Sequence, residues 1–104
     1  ALAIAREMFD GFFAESVDRL GDLQKAAETA DIETANRVAH RLKGACSMIG
    51  FREIEQLTAA IETDARAGKP ADPEIVARLT PAFETARDAA TRWVEQLAQR
   101  VPQS

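Results

Sequence analysis

Residues 31–50 read DIETANRVAHRLKGACSMIG and carry the pattern of an amphipathic helix. Apolar or small residues recur there every three or four positions, so at about 100° per residue they form one stripe. Asp31 is a suitable N-cap for this helix, which is expected to end near Gly50. The sequence therefore predicts that one side of this helix packs against other helices. The stripe consists of Ile32, Ala35, Val38, Ala39, Leu42, Ala45, Cys46 and Ile49.

His40, the only histidine of the chain, lies about 150° from the centre of that stripe and is expected to face water. Near pH 7 an exposed imidazole is largely neutral and nucleophilic. Arg37 at i−3, Lys43 at i+3 and Gly44 at i+4 share its side of the helix. Lys43 supplies a cation for a phosphate on the ring. Because glycine inside a helix costs about 1 kcal/mol relative to alanine, we interpret Gly44 as a hollow for an approaching partner or phosphoryl group.

Three more helices are predicted around this one. The first runs from Ile4 to Thr29, and Gly11 is a weak point at which its first turns could form a separate short helix. The third begins near Arg52 and is stopped by the glycine and proline of residues 68–70. Its apolar side carries Ile54, Leu57, Ile61 and Ala65. The first helix has its apolar positions at Ile4, Met8, Phe12, Val17, Leu20, Leu23 and Ala27, widened by Phe9 and Phe13.

The fourth helix is predicted to be capped by Asp72 and to start at Pro73. Pro81 is expected to cause a kink or a brief break in it. Four amphipathic helices with short links predict an all-α, antiparallel up-down four-helix bundle, with a possible short extra N-terminal helix. The apolar positions of the fourth helix are Ile75, Leu79, Phe83, Ala86, Ala90, Trp93, Val94 and Leu97.

Composition narrows the possible functions. The 104 residues make a single domain, residues 1–104, which is either part of a longer chain or a small protein by itself. No apolar run reaches the roughly 20 residues of a membrane span, and no secretory signal segment is expected. The net charge of −4 disfavours nucleic acid as a partner. One cysteine and one histidine provide neither a disulfide nor the usual zinc ligands, so we expect no metal site and a cytoplasmic location. No glycine-rich phosphate loop for ATP is present.

The string His40-x-Leu42-Lys43-Gly44, followed by small residues and Gly50, resembles the signature of histidine-containing phosphotransfer (HPt) domains. These domains are intermediates of multistep two-component phosphorelays, and the resemblance extends in pattern over residues 4–97. It implies that His40 accepts a phosphoryl group from an aspartyl-phosphate receiver domain and passes it to another receiver. It also implies that Mg²⁺ belongs to the receiver, and that this chain carries no cofactor and has no kinase activity of its own.

The resemblance implies further site residues. Glu62 lies where the family often carries a polar residue that steadies the imidazole, although a solvated glutamate is an equal alternative. Arg37, Arg41, Ser47 and Phe13 are candidates for partner docking. For the arginines the alternative is simple solvation, and for Phe13 it is core packing. The expected partners of this monomer are response-regulator receiver domains or a hybrid sensor histidine kinase.

Two alternative functions are left open by the sequence. The chain could be the histidine-bearing module of a larger chemotaxis-type kinase. It could also be a helical bundle that only binds partners, with His40 chemically idle.

Overall fold

The computed structural model describes residues 2–49 and 51–100, and the side chains of residues 45–49 lie outside that description. The described residues form four α-helices and no strand, which confirms the all-α prediction. The helices are α1 (Leu2–Glu28), α2 (Ile32–Ile49), α3 (Arg52–Arg66) and α4 (Pro73–Arg100).

Each helix packs against its neighbours in sequence, and α1 also packs against α4. Within the described part of the chain, no Cα atoms of the diagonal pairs α1–α3 and α2–α4 approach within 8 Å of each other. The short connections reverse the chain direction each time, which gives an antiparallel up-down bundle. The bundle measures 57 × 19 × 19 Å. At 1.5 Å per residue, α1 and α4 are about 40 Å long and therefore extend beyond the shorter α2–α3 pair.

Aspartate side chains cap the starts of α2 and α4, as predicted. Oδ1 of Asp31 accepts a hydrogen bond from the backbone N–H of Thr34 at 3.1 Å. The bonds from Thr34 hold the pKa of Asp31 below its ordinary value. Oδ1 of Asp72 accepts a bond from the N–H of Glu74 at 2.9 Å. Each cap satisfies a backbone donor that has no partner within its helix.

Helices α1 and α3 end in the same backbone turn, although they use different residues. Gly68 follows α3 with φ of 75°, and the N–H of Lys69 donates to the carbonyl of Asp64 at 2.8 Å. Ala30 occupies the matching position after α1 with φ of 53°, and the N–H of Asp31 donates to the carbonyl of Ala26 at 2.8 Å. Only glycine adopts this left-handed conformation without a steric cost, so Ala30 is strained.

The core lies between the four helices, and its α2 contribution agrees with the predicted stripe. Ala35, Val38, Ala39 and Leu42 are all buried. The side chains of Ala45, Cys46 and Ile49 lie outside the described residues. The other core residues are Phe13, Leu23 and Ala26 of α1, Ile54 and Ile61 of α3, Ala71, and Val76, Leu79, Ala82, Phe83, Ala86, Ala90 and Val94 of α4.

The predicted apolar face of α1 is partly wrong. Ile4, Met8 and Val17 are 70%, 51% and 63% exposed. Ile4 and Met8 lie near the start of α1, in the part of this helix that extends beyond the shorter α2–α3 pair. Ser16, and not the predicted Val17, faces the core. The Ser16 hydroxyl donates a hydrogen bond to the carbonyl of Phe12 at 2.7 Å and therefore needs no water as a partner.

Neither α1 nor α4 is broken within its length. Helix α1 is continuous through Gly11, so there is no separate N-terminal helix in residues 2–28. Helix α4 is continuous through Pro81, so the alternative of a brief break is wrong, and a kink at Pro81 stays a prediction. Proline cannot donate to the carbonyl of Ala77, but Ala77 and Pro81 are both exposed, and water can replace the missing bond. Trp93 of α4 is also 50% exposed and packs edge-on against Phe9 at 5.8 Å between ring centroids.

Candidate functional site

His40 lies in the middle of α2 and points out of the bundle. Its neighbours Ala39 and Leu42 are buried and fix the rotation of the helix about its axis. The His40 side chain is 74% exposed. The predicted exposure of the imidazole is therefore confirmed.

Glu62 of α3 brings three side chains together. Its side chain is only 2% exposed, which excludes the alternative of a solvated glutamate. Oε1 lies 3.0 Å from Nδ1 of His40. Oε2 accepts a hydrogen bond from Nζ of Lys43 at 2.8 Å and a longer one from Nη2 of Arg66 at 3.4 Å. The structure thus joins His40, Lys43 and Arg66 through one buried carboxylate.

Glu62 remains ionised at neutral pH in this environment. Burial by itself raises the pKa of Glu62. The hydrogen bonds and charges of Lys43 and His40 lower this pKa by more than burial raises it, so the pKa lies below its ordinary value. A buried carboxylate normally requires such partners, because an unpaired buried charge is costly.

The Glu62 carboxylate determines which ring nitrogen of His40 is free. An ionised carboxylate can only accept hydrogen bonds, so Nδ1 carries the proton that points at Oε1. In the neutral ring Nε2 then holds an unshared electron pair. The exposed imidazole is therefore oriented with Nε2 as its available nucleophilic atom.

The surface beside His40 is open on the side of Gly44. Apart from its chain neighbours and the backbone of its own helix, a Cβ atom added at Gly44 would meet no described atom within 4 Å. Arg37 and Arg41 are exposed on α2 and lie on the same side of the ring as Gly44 at 100° per residue, whereas Lys43 lies on the α3 side. The imidazole thus stands between a cation held by Glu62 and an open strip of helix surface.

Phe13 was expected as a docking residue, and the structure corrects this. Its side chain is 5% exposed, its ring centroid lies 5.0 Å from that of Phe12 and 6.0 Å from that of Phe51, and the guanidinium of Arg87 lies 5.4 Å from its ring centroid. Phe13 is therefore a core residue with no free face for a partner. The predicted roles of the Ser47 side chain and of Gly50 lie outside the described residues.

Arg66 was missed by the sequence analysis. It follows Glu62 by four residues on α3, which is the spacing at which side chains of a helix meet. That spacing alone is common among surface residues. It gains meaning only from the burial of Glu62, which the sequence does not reveal.

In the parts of the chain whose side chains are described, no group of three or more His, Cys, Asp or Glu residues is placed to hold a metal ion. None of the described helices is both long and apolar enough to cross a membrane.

Comparison with known proteins assigns the family. The family model described as Hpt domain matches residues 7–101, so the chain belongs to the Hpt domain family. Domains of this family carry out histidine phosphotransfer in phosphorelays. No curated protein and no solved structure matched the chain.

Proposed function

We propose that His40 accepts a phosphoryl group from the aspartyl phosphate of a response-regulator receiver domain and returns it to a second receiver. The observation that carries the proposal is the 3.0 Å contact between Nδ1 of His40 and the buried carboxylate of Glu62, on an imidazole that is 74% exposed. An idle surface histidine does not require a buried, ionised partner. A phosphocarrier benefits from one, because its nucleophilic nitrogen must be presented in a fixed direction.

The chemistry needs no proton transfer in this chain. Nε2 attacks the phosphorus, an N–P bond forms, and the P–O bond to the receiver aspartate breaks, with its electron pair leaving on the carboxylate. Nδ1 keeps its proton, so the phosphorylated ring carries a positive charge that faces the Glu62 carboxylate. An adjacent opposite charge stabilises a charged group. Glu62 therefore favours the phosphorylated ring as well as the reactive tautomer.

Lys43, Gly44 and the partner are proposed to supply the remaining requirements. Lys43, which is 30% exposed, provides a cation for the phosphoryl oxygens. The open surface at Gly44 lets the receiver approach. Mg²⁺ and the acidic pocket belong to the receiver in this proposal. Positioning and charge neutralisation dominate phosphoryl transfer, so an exposed histidine on a helix surface suffices.

The exposed Arg37 and Arg41 are proposed to contact an acidic surface of the receiver. Opposite charges across an interface mainly accelerate association. Arg41→Glu should slow receiver binding more at low than at high ionic strength. Arg78→Glu on α4 is the matched control, because Arg78 is also exposed but lies on the helix diagonal to α2. Equal rates for the two variants would contradict docking through Arg41.

A phosphotransfer screen tests the proposed function. Candidate receiver domains, and the receiver domain of a hybrid sensor kinase, are labelled with radioactive phosphate and mixed with this chain and with its His40→Gln variant. We expect label on the parent chain only, and we expect that label to be acid-labile and alkali-stable. NMR of the phosphorylated ring should assign the phosphoryl group to Nε2. Label that persists in His40→Gln, or that is found on Nδ1, would contradict the proposal.

A further inference from the structure

Oε2 of Glu62 has two cationic partners of unequal quality. Lys43 holds it at 2.8 Å, which is a short charge-assisted hydrogen bond. Arg66 stands at 3.4 Å, and its side chain is 71% exposed. The exposed Arg66 side chain therefore has room to move closer to Oε2. Its hydrogen bond to this oxygen is the longer of the two while Lys43 is also bound there.

Phosphorylation of His40 would create competition for Lys43. The ammonium follows His40 by one helical turn, within reach of a phosphoryl group on the ring. If Lys43 turns toward the phosphoryl oxygens, the buried carboxylate of Glu62 loses its shortest bond. A buried carboxylate that loses its partner is strongly destabilised. The positively charged ring faces Oε1, so the move leaves Oε2 without its donor unless a second cation takes the place of Lys43 there.

The charges of the site support such a replacement. When the reactive, neutral form of the ring is counted, the site before phosphorylation carries the charges of Glu62, Lys43 and Arg66, which sum to +1. The attack described above adds a phosphoryl group of charge −2 and leaves one positive charge on the ring, so the net charge becomes zero. Without Arg66 the phosphorylated site would carry −1 close to a buried carboxylate.

We infer that Arg66 is a positioning residue that takes the place of Lys43 on Oε2 of Glu62 when His40 is phosphorylated, which releases Lys43 to the phosphoryl group. This inference rests on the proposed phosphorylation of His40. Arg66 acts through Glu62 and Lys43 and does not touch the reacting atoms. The exchange moves two flexible side chains and leaves the hydrogen bond between His40 and Glu62 in place.

The first test uses the unphosphorylated protein and a double-mutant cycle in urea. Arg66→Gln alone should hardly shift the unfolding midpoint, since Arg66 is exposed and Lys43 still holds the carboxylate. In the Lys43→Ala background the same change should lower the midpoint strongly, because Arg66 is then the remaining cation on Glu62. A double variant that fails to fold while both single variants fold counts as this result. Additive effects would overturn the inference.

The second test uses the phosphorylated protein. Phosphoramidate can donate to Nε2 without any partner protein: its P–N bond breaks, the new N–P bond forms, and ammonia leaves. The pH at which the phosphoryl group takes up a proton is then followed by ³¹P NMR. Lys43→Ala should raise this midpoint by about 0.2 to 0.7 pH units, the range of an exposed ion pair. Arg66→Gln should raise it nearly as much, because Lys43 then stays on Glu62.

Controls separate this role from a general loss of charge. Arg66→Lys should restore the parent midpoint. Arg52→Gln should leave it unchanged, because Arg52 is also an exposed arginine of the same helix but lies in its first turn. A rise in Arg66→Gln of less than half that in Lys43→Ala would overturn the inference.

Failure of the inference can be told from failure of the proposed function. If no phosphorylated receiver labels His40, the proposed function fails, while the urea cycle and the phosphoramidate titration still decide the role of Arg66. If a receiver labels His40 but the cycle is additive, the inference alone fails.

Discussion

The Nδ1 atom of His40 lies 3.0 Å from Oε1 of Glu62, and this contact joins a side chain that is 74% exposed to one that is 2% exposed. The exposed ring is therefore oriented by Glu62, whose buried side chain is held in place by the packing around it. An exposed side chain normally samples several rotamers. Here one contact between α2 and α3 orients the nucleophile and leaves its outer face free for a partner.

His40→Gln should abolish phosphoryl acceptance and preserve the fold. The side chain is exposed, and the amide can still donate to Glu62, so the free energy of unfolding should change by no more than about 0.5 kcal/mol. Urea unfolding and single-turnover labelling measure the two effects. A loss of several kcal/mol would show that His40 is structural.

Glu62→Gln should change how stability depends on pH. The pKa of Glu62 is lowered in the folded protein, so its ionised form contributes stability above the ordinary glutamate pKa of about 4.3. This contribution is lost as the pH falls through the lower pKa of the folded state. We therefore expect the variant to be less stable than the parent by about 1 to 3 kcal/mol near pH 7. The difference should shrink as the pH falls below about 4.

Urea melts from pH 7 to pH 3 measure this difference. Glu84→Gln is the matched control, because Glu84 is an exposed glutamate on α4. A difference between parent and Glu62→Gln that stays constant over the whole range would mean that ionisation of Glu62 does not stabilise the fold.

Lys43→Ala should fold, with a loss of about 1 to 2 kcal/mol, because Arg66 remains beside Glu62. Phosphotransfer should be slower, since the phosphoryl group loses its nearby cation. Rates from single-turnover labelling are compared with those of Lys69→Ala, which removes an exposed lysine from the loop after α3. Equal transfer rates for the parent and Lys43→Ala would show that Lys43 does not contribute to phosphotransfer.

Ala30→Gly should stabilise the protein by about 0.5 to 1 kcal/mol. Ala30 has φ of 53° at the end of α1, where a Cβ atom is unfavourable and glycine is not. The reverse change at the matching turn, Gly68→Ala, should destabilise by a similar amount, since Gly68 has φ of 75°. Thermal or urea unfolding measures both. A destabilised Ala30→Gly variant would mean that the flexibility gained in the unfolded chain outweighs the relief of strain.

The sequence predicts best where its signals are local. The caps at Asp31 and Asp72 and the turn at Gly68 depend on a few consecutive residues, and all three agree with the structure. The exposure of His40 follows from the sharp contrast between the two sides of α2.

The remaining features depend on tertiary packing. Met8 is exposed because α1 is longer than the α2–α3 pair that packs beside it. The lengths of neighbouring helices cannot be obtained from the pattern of α1 alone. The burial of Ser16 depends on a bond to its own helix. His40 and Arg66 both reach Glu62 only because α3 is rotated so that Glu62 faces α2. His40 and Glu62 are 22 residues apart, and the local sequence pattern does not determine how two helices are rotated against each other.

Gly44→Gln should be at least as stable as the parent and markedly poorer at phosphotransfer. Glutamine has a higher helix propensity than glycine by several tenths of a kcal/mol, and a Cβ atom at Gly44 meets nothing within 4 Å. The same open space lies beside His40, so a long side chain there should obstruct the receiver. Urea melts measure stability, and single-turnover labelling from a phosphorylated receiver measures transfer.

Gly21→Gln provides the matched control for this variant. Gly21 is also an exposed glycine inside a helix, and a Cβ atom there meets nothing within 4 Å. It lies on α1 about 160° from the buried Leu23, on the outer side of the bundle. Both variants should gain helix stability, and only Gly44→Gln should lose transfer. If Gly44→Gln were unstable, the backbone or helix packing would require the glycine. If it were fully active, the receiver would have to approach His40 from the α3 side, over Lys43 and Arg66.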